Sequence, residues 1–108
     1  MDSGDDWLDV VDEHDRVIGR QRRRDVHASG LRHRSVHVLL FDVADDSVGR
    51  LFVQQRSLDK DTNAGLWDTS AAGHVDAGES PDDAARRELD EELGVRIDAA
   101  ALQWLFTL

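Results

Sequence analysis

Gly73-His74-Val75-Asp76-Ala77-Gly78-Glu79-Ser80-Pro81-Asp82-Asp83-Ala84-Ala85-Arg86-Arg87-Glu88-Leu89-Asp90-Glu91-Glu92-Leu93-Gly94-Val95 is the stretch that decides the fold. It reads as a glycine-rich loop running into a capped helix. Ser80 suits an N-cap, Pro81 the first helical position, and Asp82 and Asp83 the positive end of the helix dipole. Gly94 suits the left-handed residue that ends a helix. A helix from Pro81 to Leu93 is therefore predicted, with Ala84, Ala85, Leu89 and Leu93 as its buried side. Glu88 and Glu92 are four apart and share a face, and Glu91 lies beside them. Three like charges this close repel unless something neutralises them. A hard divalent cation such as Mg2+ takes oxygen ligands and does so.

A solvated acidic helix face would also explain a charge run, but three facts weigh against it. Carboxylates cost stability at the negative end of a helix dipole. The chain holds five Glu against 18 Asp, and four of the five, Glu79, Glu88, Glu91 and Glu92, lie in this stretch. Arg87 is embedded among them, placed to reach back to Glu79 and tie loop to helix.

The stretch resembles the Nudix box: glycine, five residues, Glu, seven residues, Arg-Glu, an aliphatic, any residue, Glu-Glu, any residue, glycine, an aliphatic. Gly73, Glu79, Arg87, Glu88, Leu89, Glu91, Glu92, Gly94 and Val95 fill every specified place. That is a far more specific signal than a short glycine pattern. The resemblance implies a Nudix fold, an α+β architecture (an α/β/α sandwich) with a mixed sheet between helices and the box as loop–helix–loop. It also implies hydrolysis of a diphosphate linked to another group, with Mg2+ or Mn2+. By that likeness Glu88, Glu91 and Glu92 hold metal or act as base, with Glu88 the first choice of base. The Ala72 carbonyl adds a ligand, and Glu79 and Arg87 make an orienting ion pair.

Looser motifs outside the box look like the Nudix branch containing type 1 isopentenyl diphosphate isomerase. They are Val11 to Gly19, His27, Leu31-Arg32-His33-Arg34, Gln55-Arg56-Ser57-Leu58-Asp59-Lys60, and Gly65 to His74. In that isomerase three histidines bind a metal, and His27, His33 and His74 fall at matching places. Arg56 and Lys60 match its diphosphate-gripping residues, and Lys60 is the only lysine of the chain. The departure matters more. The isomerase carries a catalytic cysteine just before the box glycine; here that residue is Ala72, and the chain has no cysteine. Its second catalytic carboxylate belongs to a region after Leu108. Alkene protonation needs those groups, whereas hydrolysis needs the glutamates that are kept. The chain is therefore read as a hydrolase, with an isomerase-like protein or a catalytically weak diphosphate-binding module as the alternatives.

Composition agrees with one small domain over residues 1–108. Without cysteine there is no disulfide, thiol nucleophile or zinc–thiolate site. No apolar run is long enough for a membrane span and no secretory signal is visible, so a cytoplasmic location is expected. The net charge of −10 speaks against a nucleic-acid polymer as partner. The one dense basic run, Arg20 to Arg24, reads as a charged strand end or a phosphate contact. One Lys against 12 Arg and 18 Asp resembles the surfaces of halophilic proteins, whose self-repulsion salt screens.

Working outward, Trp7 to Val11 and Val17 to Gln21 read as a hairpin. Arg22 to Arg32 reads as a loop or short helical turn. Val36 to Val43 reads as a buried strand, Leu51 to Gln55 as a second after a turn at Asp45 to Gly49, and Leu102 to Leu108 as an apolar strand. Nudix domains usually continue beyond such a strand, which needs a partner or a cover. The expectation is that the C-terminal part of the domain lies beyond these 108 residues, or that a homodimer supplies the cover.

Overall fold

Helix α2 (Pro81–Leu93) has the bounds that the capping residues predict. The Ser80 hydroxyl accepts the Asp83 amide at 3.1 Å, and Gly94 closes the helix at φ 67°. A Ser cap of this kind contributes about 1 kcal/mol. The computed structural model describes residues 6–42, 50–59 and 64–108, with Asp42 described for its backbone alone. The turn expected at Asp45 to Gly49, and Lys60, lie outside the described residues.

Strands β1 (Trp7–Val11) and β2 (Val17–Arg22) form the predicted antiparallel hairpin. Arg22 to Arg32, left between loop and helical turn by its polarity, contains helix α1 (Arg23–Ser29). Val26 anchors α1 against Leu8 and Val10, with Leu31 packed beside them. Strand β3 (Ser35–Val38) pairs antiparallel with β8 (Ala71–His74), and α2 lies across both. Val38, Ala71, Ala85 and Leu89 form that core, flanked by Val36, Ile97 and Leu102.

Two predicted strands are each broken in two. Val36 to Val43 becomes β3 and β4 (Leu40–Asp42), and Leu51 to Gln55 becomes β5 (Arg50–Phe52) and β6 (Gln54–Gln55). The cause is a change of partner. β3 pairs with β8, whereas β4 pairs with β5 and β6 with β7 (Trp67–Asp68). Ser70 sits at the switch: its hydroxyl accepts the Leu40 amide at 2.8 Å and donates to the Phe52 carbonyl. All four described ladders are antiparallel.

Burial differs from expectation at three places. Phe41 and Leu51 on one face of the β4–β5 pair and Phe52 on the other are exposed, so these strands are covered on neither face as a buried strand would be. Leu93 is exposed too. Glu88 takes a place on the buried side instead. Leu102 to Leu108 is not a strand: a 3-10 turn at Ala99–Ala101 leads into an irregular segment with Trp104, Leu105 and Phe106 exposed. A strand exists only through its ladder, and this segment has no paired neighbour among the described residues.

Candidate active site

The box is a loop hung between β8 and α2, and Arg87 is its centre. Arg87 Nε donates to Glu79 Oε2 at 3.0 Å and Nη2 to Glu79 Oε1 at 2.9 Å. This two-pronged geometry suits a guanidinium on a carboxylate. Nη2 also donates to the His74 carbonyl at 3.0 Å, and Nη1 to Glu88 at 2.8 Å and Glu91 at 3.5 Å. One side chain thus ties loop, strand and helix together. Asp76 Oδ2 adds a fourth carboxylate at 3.6 Å. The Arg87 bond holds the Glu79 carboxyl below its ordinary value, against partial burial, with the Asp76 amide assisting. In turn Glu79 holds the Arg87 guanidinium firmly protonated.

If the pair acts as a unit, Arg87→Ala and Glu79→Gln each lower stability and activity, and together they lose less than the sum. Glu79 and Arg87 are mostly buried, so a coupling of about 1–3 kcal/mol is expected from a double-mutant cycle read by denaturant melts. Additive losses would show that the two do not interact.

Glu88 is 4% exposed, and its carboxylate lies against Gly73 so closely that a Cβ there would overlap it. That close approach is the physical reason for glycine at the end of β8. Glu92 Oε2 accepts the Ala72 amide at 2.9 Å, and Oε1 is 3.5 Å from Gln54 Nε2. Glu88 thus lies at Gly73 and Glu92 at Ala72, while Glu91 is joined to the site through Arg87 Nη1. Beside them opens a cavity of about 290 Å³ lined in part by Gln54, Arg56, Ser57, Asp68, Ala72 and Glu92. Arg56 Nη1 lies 3.6 Å from Asp68 Oδ2. Sequence reasoning did not single out Gln54, Asp68 or Asp76, whose residue types and spacing carry no distinguishing mark.

His27 from α1, His33 before β3 and His74 at the end of β8 come together as a second cluster. Their ring centroids are 5.0–5.2 Å apart. Each offers a nitrogen, and those atoms lie within 4.8 Å of one another. The Leu31 carbonyl lies 3.0 Å from His33 Nδ1, which fixes the ring. Desolvation, then Arg23, then His33 push the His27 pKa down. Neutral imidazoles are the form that ligates metal.

A family model described as the NUDIX domain matches residues 31–107. This chain belongs to the Nudix family. It is 51% identical over 94 residues to an uncharacterized Nudix hydrolase of Streptomyces coelicolor, covering 87% of this chain and 50% of that one. It is 46% identical over 90 residues to an isopentenyl-diphosphate Delta-isomerase of Serratia proteamaculans, covering 83% and 48%. A crystal structure of a Deinococcus radiodurans protein superposes with a TM-score of 0.73 at 38% identity, over 86% of this Nudix chain and 55% of that one. The chain spans about half the length of these curated relatives. The α+β Nudix fold and the kinship with the isomerase branch follow from these matches. No helix among the described residues is long and apolar enough to cross a membrane.

Proposed function

We propose that this Nudix chain hydrolyses a diphosphate linked to another group, with a divalent cation as cofactor. The observation that carries the reading is the placement of Glu88 against Gly73 and Glu92 on the Ala72 amide, with Glu91 tied in through Arg87, beside a cavity lined in part by Arg56. The donors fit a hard cation in kind: Glu88, Glu91 and Glu92 all offer carboxylate oxygens. Glu88, Glu91 and Glu92, with the Ala72 carbonyl, would hold Mg2+ or Mn2+. When bound, such an ion neutralises phosphate oxygens and acidifies water.

The protein's own groups do the rest. Glu88 takes the proton of the attacking water as its oxygen bonds to phosphorus and the bridging P–O bond breaks. Arg56 steadies the negative charge of the phosphate left behind, with Lys60 as its proposed second cation. Glu79 and Arg87 keep the loop set against the helix. The substrate is a small diphosphate and not a nucleic-acid polymer. A cytoplasmic location, a salt-tolerant acidic surface and a homodimer complete the proposal.

The histidine cluster favours a second reading, isomerase chemistry, since one nitrogen from each of His27, His33 and His74 lies within 4.8 Å of the others. Against it stands Ala72, which offers no acid or base where that branch carries a thiol. Incubation with nucleoside, sugar and isoprenoid diphosphates in Mg2+ should release phosphate from at least one of them. Proton exchange between water and isopentenyl diphosphate, followed by NMR, should be absent. Exchange without phosphate release would establish the isomerase reading. Diphosphate binding with neither reaction would leave a binding module.

A further inference from the structure

Asp9 lies in the middle of β1 and is 6% exposed. A buried carboxylate is costly unless its oxygens are satisfied. Here Oδ2 accepts the Gly78 amide at 3.0 Å and Oδ1 accepts Arg20 Nε at 3.1 Å. The two contacts differ in worth. Arg20 is 61% exposed, so solvent screens its pairing. The Gly78 bond is also charge-assisted, and its donor is a backbone amide that gives up no side-chain freedom to make it.

Gly78 stands one residue before Glu79, at φ 78°, a conformation that fixes where its amide points. The loop around it is sewn to the same strand at two further points. The Ala77 amide donates to the Trp7 carbonyl at 2.8 Å, and Leu8 bridges to Asp76. Strand β1 and its hairpin partner lie outside the matched residues 31–107. Even so, a continuous line of bonds runs from Asp9 through Gly78 and Glu79 to Arg87, and from Arg87 to Glu88.

We propose that Asp9 is a positioning residue: it fixes the loop at 76–79 and, through Glu79, sets the orientation of Arg87 beside the glutamates. The role rests on the hydrolase reading of those glutamates, but its test does not. Asp9→Asn keeps the size and leaves one acceptor oxygen for two donors. Hydrogen exchange is followed by NMR at the Gly78 amide, the Arg87 Nε–H and, as a reporter of whole-chain opening, the Leu89 amide inside α2. The variant should exchange about tenfold faster at Gly78 and Arg87, as loss of one charge-assisted bond predicts, with Leu89 unchanged. Mn2+ affinity, measured by the paramagnetic signal of the ion, should fall in parallel.

Unchanged Gly78 or Arg87 exchange would overturn the proposal. Equal acceleration at all three sites would do the same, since it would mean that Asp9 is only a stabilising residue. Should Asp9→Asn fail to fold, Asp9→Glu is read in its place. It keeps the charge but moves the carboxylate by one methylene away from the Gly78 amide, and should speed the Gly78 and Arg87 signals more than that of Leu89; no such difference would sink the idea. Failure of the unaltered chain to hydrolyse any diphosphate would remove the hydrolase reading and leave the exchange result standing.

Discussion

Glu92→Gln should leave the chain folded and cut turnover by roughly 10² to 10⁴. The structure gives the reason for both halves. Gln is isosteric with Glu, and its carbonyl oxygen can still accept the Ala72 amide that Glu92 Oε2 accepts now. Glu92 is exposed at the edge of the face that α2 turns to β8, so the stability change should stay within about 0.5 kcal/mol. The negative charge is what goes. If Glu92 belongs to the set that holds a divalent cation, losing that charge weakens the site in a way the fold does not register. Melting curves for the two proteins should superimpose while phosphate release and Mg2+ dependence diverge. Full activity of the variant in saturating Mg2+ would exclude Glu92 from the chemistry.

How much of this was legible in the sequence depends on whether the cause was local. Helix α2 was, down to its bounds, because Ser80, Pro81 and Gly94 each act within a turn of themselves. The Glu79–Arg87 pair was legible from a spacing of eight across a loop and a helix start. The hairpin β1–β2 was legible because alternation and a polar turn are also local. Partner exchange in a sheet is not local. Nothing at Leu39 or Val53 announces that the ladder changes there; the signal resides in Ser70, some 30 residues away from Leu40. The segment after Leu102 reads as a strand by composition alone, and composition does not supply a pairing neighbour. Leu93 has the right helical spacing for burial but stands at the last turn of α2 and is exposed, which spacing alone does not reveal. Asp9 looks like one more of many aspartates until the fold carries Gly78 to it, 69 residues on.

The contact between Gly73 and Glu88 yields the second large effect, and it separates geometry from stability. In Gly73→Ala the new methyl group meets the Glu88 carboxyl carbon and both its oxygens. Those atoms are the far end of a flexible side chain, so the backbone need not move: the carboxylate can swing aside. Overpacking of this kind costs about 1–3 kcal/mol, which a small domain can survive. The carboxylate cannot, however, both give way and keep its place. Glu88 is held at 2.8 Å from Arg87 Nη1 and is nearly buried, so any new position breaks that bond or drives the group out toward water. A base displaced by even an ångström loses about 10²-fold. Gly73→Ala should therefore retain a cooperative melt and lose about 10² or more in turnover. Gly30→Ala provides the comparison: it too removes a glycine, at positive φ in a helix cap, with no neighbour close enough to clash. Its loss should be one of stability alone. If Gly73→Ala melted normally and hydrolysed normally, the space beside Gly73 would be irrelevant to the reaction, and Glu88 would have to be replaced as the base.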